Sequence, residues 1–398
     1  MTLLTQFEAL HEQAIKATNL DDFGAPDYVE PMKLLLSTYD KSGRLNALGI
    51  EMTVGATVGI LVARLLAQQA FKAHPQLVNA EIEKPIIILG LPRTGSTALQ
   101  RLLAKDPGCQ WLTPWICNTP MPRPPRETWE SNPMYQMTAQ GLDQFFANFD
   151  GLLGLHPIRV AEADECRFIF DQTFWSPPLG GIGAFGDYTD WVVQADPHYA
   201  YAYHRKLLGL IAGGDTRRWI LKDPTTHPFA LPTLLDTYPD ACFVFTHRDP
   251  VTALSSVSSM VYAIRKMREP SVSSAQNGRD QLALWGPTAE KMNTVLSSLP
   301  ADRVIDIHVR ELEGDPVGTA EKIYRHFKQP VTDAARAAWT HHASTDARTG
   351  HAPHHYTIES CGFTASDVYD VVGSYGDKYS DRYRSQYGMR QSVSTGES

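Results

Sequence analysis

The sequence is poor in cysteine, has no excess of basic residues and lacks a long uninterrupted apolar run. Its five cysteines form no CxxC pair, and an odd number in a chain of 398 residues gives no disulfide framework. We therefore expect reduced thiols and a cytoplasmic protein. The formal net charge of -8 at pH 7 excludes an overall positive field that would attract nucleic acid or an anionic membrane. The start of the chain has no basic segment before an apolar one, as a secretory signal would.

The most apolar stretch, residues 53–71, is too interrupted to predict an integral membrane segment. Arg64 and the pair Gln68 and Gln69 break it. We expect a helix that is buried or that joins two copies of the chain, so a homodimer is left open, and a helix lying on a membrane surface is the weaker alternative.

The organisation of the chain indicates an α/β fold with a central parallel sheet. Helical periodicity without a strand predicts an N-terminal helical extension over residues 1–80. One domain follows over 81–385, and the polar tail 386–398 is predicted to be disordered. Four β-branched apolar runs within the domain are each followed by a helical pattern; they lie at 85–91, 218–222, 241–247 and 302–309. Between the first two, the long aromatic region 110–215 is predicted to form a binding pocket and its lid.

The sequence GLPRTGST, Gly90 to Thr97, places a Gly-rich turn between the first strand and a helix. Free backbone N–H groups and the helix dipole favour an anion there. A Walker A loop would carry lysine where Ser96 stands, which argues against an ordinary ATP or GTP hydrolase. The cation is instead Arg93, whose planar fork can hold two oxygens. The alternative is a plain tight connection between strand and helix.

At these residues the chain resembles the sulfotransferase superfamily, whose phosphosulfate loop has the form [KR]-[ST]-G-[ST]-[ST]. The corresponding residues are Arg93, Thr94, Gly95, Ser96 and Thr97. The loop is most similar to the bacterial branch with GLPRTG[ST]T. The resemblance implies a three-layer, P-loop-like α/β fold and, as donor, 3′-phosphoadenosine-5′-phosphosulfate, which leaves 3′,5′-adenosine bisphosphate.

A second motif lies at the end of the run 241–247, where Arg248 leaves the strand and Asp249-Pro250 is placed to begin a helix. Ser256 follows Arg248 by eight residues. In the resembled family an arginine and a serine at this spacing bind the 3′-phosphate, which implies those roles for Arg248 and Ser256. The alternative is an arginine paired with a carboxylate and a serine that merely faces a helix.

The chemistry of sulfuryl transfer requires cations rather than a metal, because the group carries less negative charge than a phosphoryl group. No zinc-type spacing accompanies the histidines 351, 354 and 355, so no metal is expected. In RWILKDPTTH, the resemblance makes Lys222 the cation that acts with Arg93, although a strand-end lysine is otherwise often a solvated charge. His227 lies in the turn that follows.

A base must take the proton of the attacking group. In the bacterial branch a glutamate often follows a tryptophan, but here Ile116 follows Trp115. The substitutes lie before or at the start of a predicted helix: Glu165 is preferred, His156 is second, and Glu162 also stays open. Carboxylates there can instead simply complement the helix dipole.

The predicted activity is sulfuryl transfer to a hydroxyl or amine of a small, aromatic, lipid or sugar acceptor. The aromatic residues between Tyr135 and Tyr203 favour an apolar acceptor. Two alternatives remain: a P-loop nucleotide kinase that uses Asp223 to hold Mg²⁺, and a non-catalytic nucleotide sensor, which Ile116 makes conceivable.

Overall fold

A computed structural model describes residues 2–148, 158–183, 186–346 and 357–380. The strands are β1 Ile86–Gly90, β2 Cys109–Trp111, β3 Arg218–Lys222, β4 Cys242–His247 and β5 Val304–His308. The α-helices of the described residues are α1 Phe7–Thr18, α2 Val29–Ser42, α3 Ala47–Ala73, α4 Ser96–Leu103, α5 Pro114–Asn118, α6 Pro133–Asn148, α7 Arg167–Asp171, α8 Gly186–Gln194, α9 His198–Ala212, α10 Leu231–Thr237, α11 Pro250–Arg268, α12 Ser274–Ser297, α13 Val309–Gly314, α14 Pro316–His326, α15 Asp333–Asp346, α16 Ala365–Val372 and α17 Ser374–Tyr379.

The strands form one parallel sheet in the order β2-β3-β1-β4-β5, which confirms the predicted α/β fold. β1 is buried along its whole length and pairs with β3 on one side and β4 on the other. The four predicted runs each contain a strand. The fifth strand, β2, was not predicted, because three residues at a sheet edge are too short to show a pattern.

The sheet order determines where a site can form. β1 is central, so the segment after Gly90 lies beside those after Lys222 and His247, the carboxyl ends of its two neighbours. Ligands of open α/β sheets bind at such a point. The helix after β4 begins as predicted: Asp249 Oδ1 accepts a hydrogen bond from Thr252 N at 3.0 Å, and Pro250 occupies the first turn.

The N-terminal helices pack on this domain through α2 and α3. α3 has the length and composition to cross a membrane, and among the described residues it is the only helix that does. However, 39% of its most apolar window is buried inside the protein. Arg64 within it is 2% exposed and donates hydrogen bonds to the carbonyl oxygens of Phe23, Ala25 and Gln172. The contact with Gln172 joins α3 to the domain, and the other two stay within the N-terminal extension. Together they satisfy the donors that a buried guanidinium needs to have paired.

Candidate functional site

The loop between β1 and α4 contains two residues with positive φ, Arg93 at 73° and Gly95 at 86°. Thr94 Oγ1 donates to the carbonyl of Leu91 at 2.7 Å and is hydrogen-bonded to Thr246 Oγ1 at 2.7 Å. Through Thr246, strand β4 thus restrains the position of the loop. No side chain caps the start of α4, so its first N–H groups can bind an anion.

The two predicted anion-binding motifs meet in the structure. Arg93 Nε donates to Ser256 Oγ at 3.1 Å, and Arg248 Nη1 donates to the carbonyl oxygen of Arg93 at 3.3 Å. Within the described ranges, Arg248 makes no ion pair with a carboxylate. Two guanidinium groups and a hydroxyl therefore converge next to the uncapped helix, an arrangement suited to a ligand with two anionic groups.

Lys222 and Glu165 form a buried ion pair beside the loop. Lys222 Nζ lies 2.8 Å from Glu165 Oε1 and donates to Thr97 Oγ1 at 2.7 Å. The side chains are 1% and 4% exposed. A buried charge of either sign is stable only when it is paired and hydrogen-bonded, so the pair fixes a cation and a carboxylate within reach of the loop.

The backbone before α7 places Glu165 there. Cys166 N donates to the carbonyl of Lys222 at 2.9 Å, and Glu165 N donates to Asp164 Oδ1 at 2.8 Å. Arg167 Nε lies 3.5 Å from Glu165 Oε2. Burial acts against the charge of Arg167, but the neighbouring carboxylates, Asp171 above all and then Glu165, outweigh it and raise the pKa of the guanidinium. Glu165 thus has a cation at each oxygen while it lines the adjacent cavity.

Asp223 follows Lys222 but is built differently. It is fully buried, and its Oδ1 accepts hydrogen bonds from Thr225 N at 2.9 Å and Thr225 Oγ1 at 2.8 Å. Burial, with the negative charge of Glu165, raises the pKa of Asp223 to about 7. A carboxyl group that is partly protonated at neutral pH and out of contact with solvent is a poor Mg²⁺ ligand.

The other candidates for the base have separate placements. Glu162 lies 3.0 Å from Lys105 Nζ in a partly exposed ion pair and does not line the cavity. Glu162 and Glu165 both precede α7, so they share no helical face. His156 lies outside the described residues. Trp115 and Ile116 are fully buried in the core.

His227 belongs to the core rather than to the cavity lining. The hydroxyl of Tyr201 lies 2.8 Å from its Nδ1, and the ring contacts Phe170 edge-on. Burial lowers the pKa of His227 to about 3, so it is neutral at physiological pH.

A cavity of about 700 Å³ opens in front of these groups. Its loop end is formed by Arg93, Gly95, Ser96, Thr97 and Arg248, and its apolar end by Phe145, Phe146, Met260, Val261 and Ile264. Glu165 and Arg167 also line it. A ligand at the loop end and one at the apolar end can therefore occupy a single space.

The region 110–215 contributes less of this lining than its composition suggests. Of its aromatic residues, Phe145 and Phe146 line the cavity. By contrast, six of those described are fully buried in the core: Trp115, Phe170, Phe174, Trp175, Tyr188 and Tyr201. Phe149 and Phe185 lie outside the described residues. Most of these rings thus stabilise the fold and say nothing about a ligand.

Sequence reasoning missed several residues of the site. Thr246, which fixes the loop, looked like an ordinary strand residue. Arg167 is two positions after Glu165, and this closeness of opposite charges was the sequence signal that could have indicated their ion pair. Arg265 and Arg268 also line the cavity, but they lie far from either motif, and only the course of α11 places them there.

No group of three or more histidine, cysteine or acidic side chains within the described ranges is arranged to hold a metal ion. The histidines 351, 354 and 355 lie outside those ranges. All five cysteines are described, and each is a buried free thiol.

Comparison with known sequences identifies related enzymes. The model of the Sulfotransferase family matches residues 85–333. The omega-hydroxy-beta-dihydromenaquinone-9 sulfotransferase Stf3 of Mycobacterium bovis is 24% identical over 259 residues. That match covers 62% of this chain and 63% of the relative, so the chain matches less than two thirds of the relative's length.

Solved structures give a wider match. The sulfotransferase STF1 from Mycobacterium tuberculosis H37Rv is 37% identical, with a TM-score of 0.84 over 92% of this chain and 98% of that one. The sulfotransferase STF9 from Mycobacterium avium shares the fold, with a TM-score of 0.85 at 21% identity over 94% and 96% of the two chains.

Proposed function

This chain belongs to the sulfotransferase family and is a sulfotransferase enzyme, and from that premise we propose both its donor and its catalytic groups. The proposed donor is 3′-phosphoadenosine-5′-phosphosulfate, and the proposed acceptor is a hydroxyl or amine on a small, apolar molecule. The donor supplies an activated sulfuryl group.

The convergence of the two anion-binding motifs carries this proposal. Arg93 and the N–H groups at the start of α4 would hold the 5′-phosphosulfate, and Arg248 with Ser256 would hold the 3′-phosphate. The contact of 3.1 Å between Arg93 and Ser256 brings the two sites side by side. The absence of a carboxylate partner for Arg248, within the described residues, leaves its charge available for a phosphate.

Glu165 is the proposed general base. Each carboxylate oxygen keeps a lone pair beyond the one directed at a cation, so Glu165 can accept the proton of an acceptor hydroxyl in the cavity. The acceptor oxygen then forms its bond to sulfur as the bond from sulfur to the departing phosphate oxygen breaks. Lys222 and Arg93 stabilise the negative charge that develops on that oxygen. His156, outside the described residues, stays a second candidate.

Asp223 and Glu165 argue against the two alternatives. A kinase needs a metal-binding carboxylate, and Asp223 is buried with its pKa raised to about 7. A sensor needs no acid or base at the loop, yet Glu165 lies there at 2.8 Å from Lys222. It does so although Ile116 stands where the resembled bacterial branch often has glutamate. We therefore propose that Glu165, from the segment before α7, acts as the base in place of a glutamate at position 116.

The apolar end supports a hydrophobic acceptor. Three aliphatic or thioether side chains of α11 and two phenylalanines of α6 line it. The related Stf3 is named for a hydroxylated menaquinone, which is also largely apolar. A cytoplasmic location and a homodimer stay predictions.

Calorimetric titration tests the proposed donor. We expect the wild-type chain to bind 3′,5′-adenosine bisphosphate much more tightly than ATP with Mg²⁺, because Arg248 and Ser256 have a phosphate to bind only in the former. Equal or reversed preference would contradict the assignment of the 3′-phosphate site and favour the kinase.

A further inference from the structure

The far end of the cavity carries an arginine that the proposed transfer does not use. Arg268 lines the cavity together with Arg265 and Glu269, and along α11 these residues follow the apolar ones, Met260 to Ile264. All three lie at the end of α11 or directly after it. With a rise of about 1.5 Å per residue, Arg268 lies about 18 Å along the helix from Ser256. A ligand that spans the cavity from the loop therefore meets charge at its other end.

Two of these charged groups neutralise each other. Arg265 Nε lies 3.2 Å from Glu269 Oε1, and Arg265 Nη1 lies 2.7 Å from Asp280 Oδ2. Arg265 is 2% exposed and Glu269 is 2% exposed. Arg44 Nε, 3.6 Å from Glu269 Oε2, supplies a second cation. Two cations thus face two carboxylates, and such a compensated network is structural; it supports the end of α11 without offering an unpaired charge.

Arg268 differs, because no carboxylate among the described residues pairs with it. Its Nη2 donates to Thr53 Oγ1 at 2.9 Å and to the hydroxyl of Tyr39 at 3.3 Å. These partners are neutral. Its Nε is buried and has no hydrogen-bond partner within the described part of the chain. A guanidinium carries five N–H donors. The buried Nε does not face the cavity, so the donors that remain for a ligand are those of Nη1.

The N-terminal helices hold Arg268 in place. Asn46 N donates to the carbonyl of Arg268 at 2.9 Å, at the start of α3. A Cβ at Gly49 would lie 2.8 Å from the same carbonyl oxygen, so glycine allows this close approach. Thr53 and Tyr39 then fix the guanidinium from α3 and α2. A side chain restrained in this way loses little entropy when it binds.

We propose that Arg268 forms a second polar subsite, which binds the carboxylate of an elongated acceptor whose hydroxyl is placed at Glu165. The proposal rests on the proposed sulfuryl transfer and specifies its substrate class: an apolar skeleton with a hydroxyl at one end and an anionic oxygen group at the other. The apolar end of the cavity holds the skeleton, since Met260, Val261 and Ile264 lie on the same face of α11 between Ser256 and Arg268.

A set of matched acceptors tests the subsite on the full chain. The probes are a medium-chain ω-hydroxy fatty acid, its methyl ester and the primary alcohol of the same length. We expect the wild type to favour the acid in kcat/KM. Arg268→Gln should lower kcat/KM for the acid by about 10- to 100-fold, mainly through KM, because a charge-assisted hydrogen bond is lost. Activity on the alcohol should change little, and Arg268→Lys should retain part of the preference.

Thr53→Val is the matched control, because it removes a contact of Arg268 with α3 but keeps the guanidinium. It should weaken the preference for the acid much less than Arg268→Gln does, and thermal unfolding reports any loss of stability common to both variants. An equal loss on acid and alcohol in Arg268→Gln, or no preference in the wild type, would overturn the subsite.

A binding measurement separates this proposal from the proposed function. The unsubstituted fatty acid of the same length has no hydroxyl and cannot react. Calorimetry should show that it binds the wild type and binds Arg268→Gln at least tenfold more weakly; the absence of binding to the wild type would contradict the subsite. Failure to bind 3′,5′-adenosine bisphosphate would instead contradict the donor assignment. The fatty acid titration would still test the subsite, because it does not require the donor.

Discussion

The loop end and the apolar end of the cavity are assembled from different kinds of structure. The loop end follows directly from the strands: Arg93 comes after β1 and Arg248 after β4, with Lys222 behind them at the end of β3. The apolar end depends on the packing of α6 and α11, with α2 and α3 behind its far side.

This difference has consequences for what each end can recognise. Strand ends in a parallel sheet are fixed to one another by backbone hydrogen bonds, so the positions of the loop groups depend little on surface side chains. Helix packing depends on side chains and changes with them. We therefore expect donor binding and acceptor choice to respond to separate substitutions, with Glu165 acting between the two ends.

The largest expected effect is on the chemical step, through Glu165→Gln. Glutamine can still accept a hydrogen bond from Lys222 but is a very weak base, so kcat should fall by about 10²- to 10⁴-fold. Turnover of a reactive acceptor at saturating donor measures it. Calorimetry provides the control: affinity for 3′,5′-adenosine bisphosphate should stay within a few-fold, and a comparable loss there would assign Glu165 to donor binding or to folding.

The next effect concerns the loop end, through Arg248→Ala. Loss of a charge-assisted hydrogen bond costs about 1.5–3 kcal/mol, which weakens binding of 3′,5′-adenosine bisphosphate by about 10- to 100-fold. Titration of adenosine 5′-phosphosulfate, which lacks the 3′-phosphate, serves as the control and should change little. If both nucleotides lose affinity equally, Arg248 does not discriminate the 3′-phosphate.

A smaller effect is expected at the apolar end, through Ile264→Ala. Removal of aliphatic carbons from the lining should raise KM for an apolar acceptor by about tenfold. Affinity for the bisphosphate should not change. Ile50→Ala is a suitable control, because Ile50 lies on α3 and is 42% exposed. A matching change in donor affinity for Ile264→Ala would show that the two ends are not independent.

The remaining effect concerns stability rather than binding or turnover, through Asp223. Its folded pKa of about 7 lies above the usual value for aspartate, so the folded state binds more protons than the unfolded state between about pH 4 and 7. This group therefore stabilises the fold at low pH, and the free energy of unfolding falls as the pH rises through that window.

Asp223→Asn tests this sign, because an amide cannot ionise and its oxygen can still accept from Thr225. The free energy of unfolding, measured by urea denaturation from pH 4.5 to 8, should fall less steeply with pH in the variant. Each unit of pKa difference corresponds to about 1.4 kcal/mol. Identical pH profiles for the two proteins would mean that Asp223 is ionised in the fold.

Much of the loop end could be predicted because its signals are local. A buried β-branched run, a Gly-rich turn and a helix leave little choice of geometry for Gly90 to Thr97, and Asp249-Pro250 marks the start of the helix after β4. The short strand β2 had no such signal. The aromatic residues before β3 were also ambiguous, because composition cannot distinguish Phe146 at the cavity from Phe170 in the core.

The sequence by itself determined the strand runs, the turn chemistry of the loop and the types of residue that can bind two phosphates. The tertiary structure decided which distant residues meet: Glu165 with Lys222, Arg93 with Ser256, and Arg268 with Thr53. The physical reason is range. Backbone conformation is set largely by neighbouring residues, whereas a buried ion pair or a cavity wall depends on the packing of segments that sequence order does not bring together.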